Sequence, residues 1–151
     1  MLLSNWDNKD VRDVARGSNT AIFEHCVGKH RREARYLIID WGAALGAWGS
    51  NILSRGRWNS EAFASQSEQL ITGVDGTRVT WGYAGQRTAD AVENISVGDV
   101  RWLYERIGGL TDQQLADALR ASGATAEEVV AFTTAILERI QKLRSVAQAD
   151  G

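Results

Sequence analysis

The chain has 151 residues, 44% of them hydrophobic and 24% charged, enough for one globular domain with a core of its own. A net charge of −2 gives no general attraction to nucleic acid or to an anionic membrane, and no apolar run approaches the roughly 20 residues that span a bilayer. The start "MLLSNWDNKD" does not read as a signal peptide, and Cys26 stands alone, which excludes an intrachain disulfide and a cysteine-based metal site; the cytoplasm is the expected compartment.

Residues 1–18 are polar with little apolar periodicity and read as a loop or a short, weak helix. "TAIFEHCV" (20–27) alternates and predicts a strand, "GKHRREAR" (28–35) a basic turn, and "YLIID" (36–40) a short buried strand, together a hairpin with a basic tip. Residues 41–60 are glycine-rich and irregular, and 61–71 fit a helical turn or a strand. A D-G turn signal at Asp75–Gly76, followed by alternation at Val79, Trp81 and Tyr83, predicts a second hairpin over 69–84. Helical signals begin at Ser96. A first helix runs from that cap to Gly108–Gly109, a second from Thr111 with Gln114 three residues on to Gly123, and a third from Thr125 with Glu128. On the third, Val129, Phe132, Ile136, Ile140 and Leu143 share one face, with Val130 widening it; Glu127 and Glu128 suit its first turn, and Lys142 and Arg144 its end. Residues 147–151 are expected to fray. Six tryptophans and no proline complete the picture, the tryptophans reading as core and loop anchors. The fold class expected is α+β: a single domain over 1–151, with a small antiparallel β and loop part (1–95) followed by a three-helix part (96–146).

The stretch with most chemistry is "LIIDWGAALGAWG" at 37–49. Gly42, Gly46 and Gly49 do not have the G-x-G-x-x-G spacing of a dinucleotide site, and Gly49–Ser50–Asn51 lacks the lysine of a P-loop. What remains is strand, aspartate, aromatic, glycine. A strand end fixes a carboxylate, a following glycine lets the backbone turn away, and a hard cation bound to phosphates needs few protein oxygens beyond that. In protein kinases this is the place of the magnesium-binding aspartate, preceded by a catalytic loop with a base-like Asp and a metal-holding Asn. Here Asp7, then Asn19, then the predicted hairpin, precede Asp40.

"SNWD", "YLIIDWGAALGAWG", "RWNSEAF", "VDGTRVTWGY", "ISVGDVRWL" and the terminal helix pair resemble the C-terminal half of a family of uncharacterised bacterial proteins. That family is distantly similar to atypical kinases of the phosphoinositide-kinase-like and secretory-kinase-like kind. The resemblance implies a kinase C-lobe using Mg2+ and ATP. Asp7 would orient or deprotonate the acceptor hydroxyl, Asp40 would be the main metal ligand, Asn19 the second, and Gly42 the pivot of the nucleotide-binding turn. One departure is clear: a kinase loop places its Asn about five residues after the Asp, where this chain has Arg12, and Asn8 is a second candidate. The glycine-rich loop and strand lysine of an N-lobe are expected outside this sequence, on a longer protein or a separate chain. Alone, the chain should therefore bind nucleotide poorly. An N-lobe or partner protein, or a second copy of the chain, is the expected partner; nucleic acid and membrane are not. The alternative is a non-catalytic protein-interaction module on the same scaffold.

Other features read more plainly. Lys29, His30, Arg31, Arg32 and Arg35 form a solvated hairpin tip, Arg55, Arg57 and Trp58 lie where a substrate loop would be, and His25 and Cys26 fall on opposite strand faces, which argues against a shared zinc.

Overall fold

The computed structural model describes residues 1–5, 20–29, 31–38, 41–42, 44–48, 58–83 and 92–149. Small hairpins are followed by helices, an α+β arrangement as the patterning predicts.

β1 (Thr20–Cys26) and β2 (Arg32–Ile38) pair antiparallel, from Thr20 opposite Ile38 to Cys26 opposite Arg32. The hairpin is as expected, but β2 begins earlier: Arg32–Arg35 belong to the strand, not to the turn. Their charges are accommodated across the ribbon, with Arg32 3.9 Å from Glu24 and Glu33 3.3 Å from His25, so they extend the ladder instead of ending it. The turn itself is closed by the Val27 N–H donating to the Arg31 carbonyl at 2.9 Å.

β3 (Ile71–Asp75) and β4 (Arg78–Trp81) form the second hairpin, with an irregularity between Ile71 and Gly73. Gly76 takes φ 55°, the left-handed conformation its turn requires. The alternation read at Val79, Trp81 and Tyr83 is real, with Val79 and Tyr83 buried. The first half of the ambiguous segment before it is helical and the rest turns into β3: α1 (Ser60–Ser65) is capped by Asn59, whose side chain accepts from the Ala62 N–H at 2.9 Å, and buries Phe63.

α2 (Val97–Ile107), α3 (Asp112–Ala121) and α4 (Ala126–Gln148) each open with a reciprocal capping box, Ser96 with Asp99, Thr111 with Gln114, and Thr125 with Glu128. The stripe from Val129 to Leu143 is buried throughout. Two expectations for α4 need correction. The helix continues to Gln148 and buries Val146 and Ala147, so fraying does not begin at 147, while 150–151 lie outside the described residues; Lys142 and Arg144 fall in its last two turns. Val130 is 68% exposed and does not widen the buried face.

One core cluster centres on Phe132, which meets Phe63 edge-on at 5.5 Å and Trp58 at 5.7 Å. A second joins Val79, Val97, Val100, Leu143 and Val146, and a third joins Trp48, Leu70 and Tyr83. The tryptophans divide accordingly. Trp48, Trp58 and Trp81 pack in the body, whereas Trp41 and Trp102 are exposed. Among the described residues no helix is long and apolar enough to cross a membrane.

Candidate functional site

Arg139 stands on the buried stripe of α4, in register with Phe132, Ile136 and Leu143, and is 0% exposed. Its Nε donates to Ser67 Oγ (2.8 Å), one terminal nitrogen to the Leu2 carbonyl (2.8 Å) and Ser4 Oγ (2.8 Å), and the other to the Phe63 carbonyl (2.7 Å). The guanidinium carbon lies 3.5 Å from the centre of the Phe63 ring. Among the described residues no carboxylate pairs with it; neutral oxygens and a ring face hold the cation. Burial pulls its pKa down to about 9, which leaves it charged at neutral pH.

The consequence is a fixed N-terminal segment. Ser4, fully buried, is held at φ 52°, its N–H donating to the Met1 carbonyl at 2.9 Å. Leu45, in the glycine-rich stretch, is at φ 59°; its N–H donates to the Leu3 carbonyl (2.8 Å) and its carbonyl accepts from Asn59 (3.0 Å). Three residues on, the Gln66 amide closes a reciprocal pair with the backbone of Trp48, each bond 2.9 Å. Left-handed conformations at residues other than glycine cost free energy, persist only where surrounding contacts impose them, and concentrate at functional sites. Here two such residues are joined through the Leu45–Leu3 bond.

The carbonyls of Leu2 and Leu3 are thus directed to Arg139 and Leu45, and the segment presents side chains to the space beside it. That space is a cavity of about 360 Å³. Met1, Leu2, Leu3 and Asn5 form one wall, and Ile38 and Trp41 another. Leu70 and Trp81 from the β3–β4 region, Leu103 of α2 and Leu143 of α4 complete it.

Of the residues singled out in the sequence, Asp7, Asn8, Asn19 and Asp40 lie outside the described residues, as do Arg55 and Arg57. Gly42 is described and exposed, in the turn closed by the Ala44 N–H donating to the Trp41 carbonyl at 2.9 Å. The chain neighbours of the acids converge: Asn5 is two positions before Asp7, Ile38 and Trp41 bracket Asp40, and all three line the one cavity. Trp58 is partly buried and packs on Phe132 at the edge of the core. Lys29, Arg31, Arg32 and Arg35 are exposed at or beside the hairpin tip, His25 faces Glu33, and Cys26 is exposed. Among the described residues no three His, Cys, Asp or Glu side chains converge to hold a metal ion. Arg139, Ser4 and Ser67 were not found by motif. The available signal was a single basic residue at the 4-3-4 spacing of the apolar stripe (132, 136, 139, 143). No family model matches the chain, and no curated protein or solved structure matches it.

Proposed function

We propose that the chain is a kinase-like domain related to Mg2+-dependent phosphotransferases. One observation supports it above others: Asn5, two residues before Asp7, and Ile38 and Trp41, on either side of Asp40 in sequence, line a single cavity, beside two backbone positions held in a left-handed conformation. Asp40, with Asn19 as second ligand, offers the carboxylate and amide oxygens that suit a hard cation bridging the phosphates of ATP, with Gly42 turning the chain away. Asp7 orients the acceptor hydroxyl and takes its proton as the γ-phosphoryl group moves from ADP to that oxygen. The phosphate-gripping glycine loop and lysine come from another segment or chain. Calorimetric titration with ATP in the presence of Mg2+ tests this. Weak, Mg2+-dependent binding that Asp40→Asn abolishes is expected; no binding, or binding indifferent to the substitution, contradicts it.

A second reading, a non-catalytic interaction module, is favoured by the β1–β2 ribbon. Phe23 (58% exposed) and Leu37 (46%) lie on the same face of it, and Trp41 (48%) follows shortly after β2. An N-lobe-like partner or a second copy of the chain would cover that face. Sedimentation of the wild type and of Phe23→Ser separates the two conditions: association lost in the variant, with no nucleotide binding in either, favours the module.

A further inference from the structure

We infer that the cavity beside the N-terminal segment is a binding site for the apolar body of a small molecule, a hydrocarbon chain or fused ring; on the phosphotransferase reading, on which this last step rests, that molecule is the acceptor and not the nucleotide. Protein interiors carry few voids larger than a water molecule, and small-molecule pockets run from roughly 300 to 1,000 Å³; this cavity, at about 360 Å³, belongs with the pockets. The same chain packs Phe63, Phe132, Leu70 and Leu143 to almost zero exposure within or next to it, so loose packing is not a general property of the fold.

The walls then select the ligand. Backbone polarity is turned away from the space, since the Leu2 carbonyl is used by Arg139 and the Leu3 carbonyl by Leu45. Among the described residues, nine of the ten that line it are apolar or aromatic, and Asn5 is the exception. A purine ring presents several donors and acceptors along its edges. Buried against aliphatic side chains they would be left without partners, at a cost that opposes binding. A hydrocarbon body has no such cost and gains from every apolar contact. On the phosphotransferase reading the ligand is an alcohol whose body fills the cavity. Its hydroxyl oxygen bonds to the γ-phosphorus of ATP as the bond from that phosphorus to ADP breaks, and its proton passes to the Asp7 carboxylate.

The test uses the full chain with 1-octanol as probe and adenosine as comparator, without ATP or Mg2+. The expected result is saturable one-to-one binding of 1-octanol, with nuclear Overhauser contacts from its chain to Leu3 and Leu103 methyl groups, and no binding of adenosine in the cavity. Leu103→Phe, a half-buried position where added volume projects into the space, should weaken 1-octanol at least tenfold. Trp41→Ala, at an exposed wall residue, provides a second variant that does not depend on repacking. Absence of saturable 1-octanol binding to the wild type, or wild-type affinity in both variants, overturns the inference. Adenosine competing with 1-octanol overturns the assignment to the acceptor. A chain that binds 1-octanol but never Mg2+ and ATP retains the cavity site and loses the phosphotransferase reading, and the converse result removes only the cavity site.

Discussion

The Arg139 guanidinium donates to the Ser4 hydroxyl at 2.8 Å across 135 positions of sequence, with both side chains fully buried. The last helix thereby holds the N-terminal segment in place. A buried cation is expensive unless its donors are satisfied. Here Ser67, Leu2, Ser4 and Phe63 each supply an oxygen within 2.8 Å, and the Phe63 ring covers the guanidinium face.

Replacing Arg139 with methionine keeps apolar bulk and removes every donor. The Leu2 carbonyl and the Ser4 hydroxyl then lose the donor that held them, while the Ser67 hydroxyl and the Phe63 carbonyl keep their bond to each other at 2.9 Å. At about 1–3 kcal/mol for each group left unsatisfied, with some relaxation, the expected loss is about 3–5 kcal/mol in urea denaturation. Arg139→Lys, a point charge that cannot span the same oxygens, should lose less than methionine but still lose stability. A methionine variant as stable as wild type would contradict this account of the clamp.

The capping box of α2 carries a pH dependence of known sign. The Asp99 carboxylate accepts from the Ser96 hydroxyl (2.7 Å) and from the Ser96 N–H (2.8 Å), in that order of effect, and its pKa is lowered below the ordinary 3.8. A carboxyl group whose folded pKa is depressed stabilises the fold above its unfolded pKa and loses that contribution as pH falls through the folded value. The stability difference between wild type and Asp99→Asn should therefore be constant at neutral pH and shrink once pH drops below about 4. A difference unchanged down to pH 2 would show that the carboxylate charge plays no part in the cap.

Two glycines on the β3–β4 hairpin should respond oppositely to alanine. A Cβ at Gly82 would collide with the Gln69 carbonyl oxygen, a backbone atom that cannot swing aside, whereas one at Gly73 meets nothing within 4 Å. Gly82→Ala should cost about 1–3 kcal/mol as the end of β4 is displaced, while Gly73→Ala stays within about 0.5 kcal/mol of wild type. Thermal denaturation of the two variants side by side decides this.

How much of this could be read from residues alone depends on how local the cause is. The three long helices are legible because Ser96, Thr111 and Thr125 each meet a partner three residues on, a relation entirely within one turn. The start of β2 is not. Arg32 and Glu33 look like a solvated tip and become strand only through Glu24 and His25 across the ribbon. The packed tail of α4 depends on Val146 finding Val79 and Val97, far away in sequence. Arg139 reads as a surface charge until Ser4 and Ser67 are placed around it. The cavity is assembled from segments near residues 1–5, 38–41, 70, 81, 103 and 143, which no periodicity connects. Asp7, Asn19, Asp40 and the turn at Gly42 are readings of motif order, and the meeting of Asn5, Ile38 and Trp41 at one cavity is what the fold adds.

That convergence can be measured directly, because Trp6 and Trp41 are the immediate chain neighbours of Asp7 and Asp40. The six indole N–H resonances should be followed by NMR as Mn2+ is added in place of Mg2+ at substoichiometric amounts. If Asp7 stands beside the cation that Asp40 holds, the Trp6 and Trp41 resonances broaden first and together, ahead of Trp102, and Asp40→Asn abolishes the selectivity. Broadening that is uniform across the six tryptophans, or that survives in Asp40→Asn, would contradict the phosphotransferase reading at its root.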